Sequence, residues 1–65
     1  MYRILIFSAS KGIQTQIRGM RDARSARDEF AKVRKGLAPG QYARLQFTAS
    51  MQLPWSTLET ARCEP

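Results

Sequence analysis

The first eight residues after Met1, Tyr2-Arg3-Ile4-Leu5-Ile6-Phe7-Ser8-Ala9, are apolar at both odd and even positions. They read as a strand rich in Ile and aromatics, with Leu5, Phe7 and Ala9 on one face and Tyr2, Ile4 and Ile6 on the other. A strand apolar on both faces belongs inside its sheet. Ser10-Lys11-Gly12 is a turn in which Gly12 takes positive φ and closes a hairpin. Ile13-Gln14-Thr15-Gln16-Ile17-Arg18 then alternates, with Ile13, Thr15 and Ile17 inward. A competing reading starts a helix near Ile13 on the spacing of Ile13, Ile17 and Met20. That reading sets these residues roughly 80–140° away from the later apolar stripe and buries Gly19 inside a helix, so the hairpin is preferred.

Met20 to Gly36 carries the helix on which the rest is organised. Ser25 is the expected N-cap with Asp28 three residues on, and Asp28 and Glu29 oppose the positive end of the macrodipole. Lys32, Arg34 and Lys35 suit the last turn. Gly36 is expected to supply a left-handed residue just past the helix, and Pro39 prevents its restart. Stepping by about 100° per residue, Ala26, Phe30, Val33 and Leu37 form one apolar stripe. Arg24, Arg27, Arg34 and Lys35 gather on one flank, while Asp28 and Glu29 lie on the other with Lys32 as their partner.

Residues 42–50 alternate again after the Pro39-Gly40 turn, with Ala43, Leu45, Phe47 and Ala49 inward. The order is strand, strand, helix, strand. The second strand, helix and third strand form a right-handed crossover between parallel strands, and the first strand fits between them, giving sheet order 2-1-3. The expected fold is α+β: a three-stranded sheet with one helix on one face, spanning residues 1–50. The helix is placed over Leu5, Phe7, Ile13, Ile17, Leu45 and Phe47. Tyr2, Ile4 and Ile6 then centre an open face ringed by Gln14, Gln16, Arg18, Tyr42, Arg44 and Gln46, and such a face calls for a cover. Residues 51–65 read as an apolar tail docking on the domain or a partner, through Met51, Leu53, Trp55 and Leu58. Ser56 and Glu59 form a second capping box that would start a short helix near Thr57. Residues 62–65 are expected to be loose.

The chain has 65 residues and a net charge of +6. So short a domain has a thin core, and a homodimer interface or a partner would add burial. Ten Lys or Arg face three acids in residues 1–50, so the positive charge belongs to the expected folded body. That balance suits nucleic acid or an acidic protein. A membrane surface suits it less, because Phe30 is needed for the core and the stripe has no exposed aromatic. One cysteine, Cys63, builds no disulfide framework and points to a reducing, cytoplasmic setting. The absence of histidine excludes Cys/His zinc sites and the commonest general base. An enzyme is therefore not expected. The segment Phe7 to Gln14 resembles the glycine-rich cofactor loop of short-chain dehydrogenases at Gly12 and Ile13 alone. Ser8 and Gln14 stand where that pattern has glycines, and no cofactor is expected.

Arginine supplies the remaining signal: eight Arg stand against three Lys, and arginine grips phosphate or carboxylate in bidentate fashion. The candidate contacts to nucleic-acid phosphates or an acidic partner are Arg18, Arg21, Arg24, Arg27, Arg34, Lys35 and Arg44, with the helix flank in the lead. Tyr2, Ile4, Ile6, Tyr42 and Trp55 are the candidate protein-interaction residues, and Tyr2 and Tyr42 could also stack on unpaired bases. No zinc finger, helix-turn-helix or RNA-binding sheet motif with paired aromatics is present in the sequence. In size, charge and element order the chain is similar to small accessory proteins of phages and other mobile elements. That resemblance implies an alternative role, an inhibitor or adaptor bound to a protein complex such as a bacterial defence complex. A homodimer closing sheet on sheet is compatible with either role.

Overall fold

β1 (Tyr2–Ser8) is the strand against which the others assemble. In the computed structural model, which describes residues 1–63, it pairs antiparallel with both β2 (Gly12–Ile17) and β3 (Gln41–Phe47). Gly12, at φ +74°, makes the β1–β2 turn, and Gly40, at φ +84°, delivers the chain into β3. The hairpin and the 2-1-3 order are therefore as the apolar pattern predicts. The sheet then goes one strand further. Residues Ser56–Arg62 form β4, antiparallel to β3, and complete a four-stranded antiparallel sheet of order 2-1-3-4 in a ββαββ fold. Within the tail, Trp55 does lie on the open face, against Arg3, but residues Ser56–Arg62 join as an edge strand instead of starting a helix at Thr57. Its Thr-rich alternation satisfies the free edge of β3, and that gain outweighs a local capping pattern. The expectation of a loose end fails at Arg62, which is in β4, and for Glu64 and Pro65 lies outside the described residues.

The helix α1 (Ala23–Gly36) crosses one face of the sheet. Its stripe is as predicted: Ala26, Phe30 and Leu37 are buried and Val33 packs against them. The sheet residues beneath are Ile4, Ala43, Leu45 and Ala61, with Tyr2, Ile6 and Ile17 at the margin. This reverses the expected faces of β1. Tyr2, Ile4 and Ile6 point at the helix, and Leu5 and Phe7 point away. Both rows of β1 are largely apolar and only Arg3 distinguishes them, so its pattern is a weak guide to a choice that exchanges every side chain between faces. Pairing with β3 decides it: Ile4 stands opposite Leu45 and Ile6 opposite Ala43. Tyr2 lies beside Phe47, with ring centroids 5.0 Å apart. A register shift between Ile6 and Phe7 turns Ile13 out of the core, where it is 53% exposed.

The helix starts one turn earlier than expected. Asp22, not Ser25, is the N-cap, and its carboxylate accepts the Ser25 N–H at 2.7 Å. Gly36 is the last helical residue, and the chain leaves through Leu37 in extended geometry, so no left-handed residue closes it. The Ser25 backbone hydrogen bond, assisted by the Ser25 side chain, holds the Asp22 carboxyl below its ordinary value. Such a group stabilises the fold above its unfolded pKa of about 3.9, and that support is lost as pH falls through the folded value. Asp22→Ala is therefore expected to lower the urea midpoint at pH 7 with an unchanged slope. The gap to the parent should close as pH falls below about 4. Equal midpoints at pH 7 would show that the cap contributes nothing.

Candidate nucleic-acid interface

The sheet register sets three rows across the face opposite the helix. Across β1, β3 and β4 the first row reads Arg3, Gln46, Thr57. The second adds β2 and reads Gln16, Leu5, Arg44, Thr60. The third reads Ile13, Phe7, Tyr42, Arg62. Cross-strand partners share a face, so each row crosses that face, with Gln46 and Leu5 buried within it. Arg18, just past β2, joins this face by donating from Nε and Nη2 to Gln16 Oε1 at 3.2 and 2.9 Å. Leu5, at 4% exposure, is the buried floor between Gln16 and Arg44. No Asp or Glu occupies these rows among the described residues.

Two aromatic groups stand on this surface, each with an arginine. Phe7 and Tyr42 are stacked, with centroids 4.9 Å apart and planes 7° from parallel. The Arg44 guanidinium lies 5.3 Å from the Phe7 centroid and 5.6 Å from that of Tyr42. At the other end Arg3 lies 4.1 Å over the ring of Trp55. Arg3 Nε also donates to Gln46 Oε1 at 2.8 Å, and Gln46 Nε2 donates to Thr57 Oγ1 at 3.1 Å. The guanidinium is thus fixed before any ligand arrives. Burial, and then the charge of Arg18, push the Arg3 pKa down. With no acid in the rows, an anion is the group that would relieve these two cations.

Each aromatic group borders a hollow. Beside Tyr42, a hollow of about 430 Å³ is flanked by Arg44, Thr60 and Arg62. A second, of about 560 Å³, lies at the margin of the sheet between Trp55, Met51, Arg18 and Arg21, and Tyr2 and Met20 line it from the helix side. Both fall within the roughly 300–1,000 Å³ of ligand-sized clefts.

The arginines and lysine singled out from sequence are divided between two layers. Arg18 and Arg44 lie on the open sheet face, and Arg21 borders it in the loop before α1. Arg24, Arg27, Arg34 and Lys35 are exposed on α1, on the other layer. Arg27 Nη1 is paired there with Glu59 Oε1 at 3.1 Å. Lys32 pairs with Glu29 at 3.4 Å, as the spacing predicts. Tyr42 and Trp55 are on the open face and Ile4 and Ile6 belong to the helix side, whereas Tyr2 packs at the core margin and also lines the hollow beside Trp55. Arg3, Phe7 and Arg62 complete the surface and were missed by sequence reasoning. The overlooked signal is Arg3: it shares the odd positions of β1 with Leu5 and Phe7, and a charge in that row marks it as the outward one. Among the described residues no helix is long and apolar enough to cross a membrane. Comparison with protein-family models, curated proteins and solved structures finds no match to this chain.

Proposed function

We propose that this protein is a small, non-enzymatic binding module for nucleic-acid phosphates. The observation that supports this reading is the sheet face carrying Arg3, Arg18, Arg44 and Arg62 with no acid in its rows among the described residues. Arg24, Arg34 and Lys35 on α1 extend the positive field and favour capture at a distance, while Arg27 is partly offset by Glu59. The helix flank is thus the weaker contact surface and the sheet the stronger one.

Binding through phosphate contacts releases counterions, with a slope of about −0.7 in log K against log salt for each contact on a single strand. Four sheet arginines in contact give a slope near −3. A fluorescence titration against a mixed DNA and RNA panel from about 50 to 300 mM salt is expected to show it. A flat salt response, or no binding at low salt, overturns the reading.

One observation favours a protein partner instead: Leu53, in the β3–β4 connection, and Leu58, on β4, are exposed apolar side chains. An inhibitor or adaptor using them would hold its partner at high salt. A homodimer closing sheet on sheet is disfavoured on this reading, because it would set four arginines against four with no acid between them.

A further inference from the structure

Resting on the phosphate-binding reading, we propose that the open sheet face takes single-stranded nucleic acid, with unpaired bases stacked on Tyr42 and Trp55 and the flanking arginines on its phosphates. Three observations carry this. First, the face is not shaped for a duplex. Four strands at about 4.8 Å spacing span about 14 Å before side chains are added, against a major groove of about 12 Å that admits a helix or a two-stranded ribbon.

Second, aromatic and cationic groups alternate along the face as a strand of nucleotides requires. The Phe7–Tyr42 pair stands at one end with Arg44 beside it and Arg62 next to Tyr42. Trp55 stands at the other end with Arg3 over its ring and Arg18 across the adjoining hollow. Arg3 and Phe7 are four residues apart on β1, about 13 Å along the strand, so the two aromatic groups are too far apart to hold one base and well placed to hold different ones. Two or three stacked bases are the usual complement of a four-stranded sheet that binds RNA.

Third, the two hollows beside these rings hold room for a ligand, and each is bordered by two arginines: Arg44 and Arg62 at Tyr42, Arg18 and Arg21 at Trp55. Base–aromatic stacking tolerates any sequence, since every base has a π-face. The surface has few fixed groups to read base edges, so weak sequence preference is expected.

The test compares four labelled 12-mers, each titrated at low and at high salt: oligo-dT, oligo-U, an abasic deoxyribose-phosphate strand, and a hairpin duplex. Trp55 is the single tryptophan of the chain, so its fluorescence reports stacking directly. Both base-bearing single strands are expected to bind at least tenfold tighter than the abasic strand or the duplex and to quench Trp55. The ratio of oligo-U to oligo-dT tells RNA from DNA preference. Tyr42→Leu is expected to lose roughly 5- to 150-fold on oligo-dT and little on the abasic strand. The unmodified protein on the abasic strand makes the same comparison without a mutation. Equal binding of all four with a steep salt response overturns stacking and leaves phosphate binding intact. No binding at low salt overturns both and leaves the exposed Leu53 and Leu58 to be tested against protein.

Discussion

Phe30→Ala is expected to remove a large share of the stability of the fold. The core beneath α1 is small: of its seven buried residues, Ala26, Ala43 and Ala61 are alanines, and only Ile4, Phe30, Leu37 and Leu45 bring bulk. The alanines let the helix approach the sheet closely, and Phe30 fills the space between the two layers. Truncating a buried Phe costs about 3–5 kcal/mol, the lost transfer energy plus the cavity left behind. A domain of this length has a total stability of roughly 3–10 kcal/mol. At about 4–8 °C per kcal/mol for so small a domain, the melting temperature should fall by at least about 12 °C. Phe30→Leu keeps most of the apolar volume and is expected to stay folded with a smaller loss. Melting followed by circular dichroism checks both, and a Phe30→Ala melt within a few degrees of the parent would show that the helix does not hold the sheet.

The parts legible in the sequence are those where one face was plainly marked. In α1, Ala26, Phe30, Val33 and Leu37 stand against charged neighbours, and that helix packs as its stripe predicts. β3 alternates Ala43, Leu45 and Phe47 with Arg44 and Gln46, and the first three face inward as predicted, but the strand ends at Phe47, so Ala49 is exposed and Thr48 is buried instead. β1 is different. Both of its rows are largely hydrophobic and only Arg3 separates them, so most of the choice is made by pairing with β3 and by the helix, which are tertiary effects. That one ambiguity decided how much of the candidate site could be read. Assigning Phe7 to the core hid its stack with Tyr42 and left the sheet without a visible aromatic pair. β4 was obscured for a different reason: the Ser56–Glu59 spacing is a genuine helix-start signal, and only the unfilled edge of β3 competes with it. Arg62 and the Arg27–Glu59 pair were lost with that strand.

Reversing charge on the sheet is expected to abolish nucleic-acid binding where reversing charge on the helix does not. The comparison is Arg44→Glu with Arg62→Glu against Arg24→Glu, Arg34→Glu and Lys35→Glu. Hydrogen bonds to charged groups contribute about 1.5–3 kcal/mol each, so two lost phosphate contacts weaken binding at least about 100-fold, before any repulsion is counted. The three helix cations sit exposed on the far layer, where salt screens them over about 10 Å at 0.1 M. Their reversal is expected to cost no more than about tenfold and to act mainly through slower association. Arg44 also touches both aromatic rings, so its reversal could disturb the surface itself. A milder pair, Arg44→Gln with Arg62→Gln, removes the charges but keeps long polar side chains beside Leu5 and Tyr42, and melting curves report whether the fold is intact. Binding that survives the folded sheet variants and fails in the helix variant would move the interface to the arginine flank of α1. The aromatic rows of the sheet would then need another ligand.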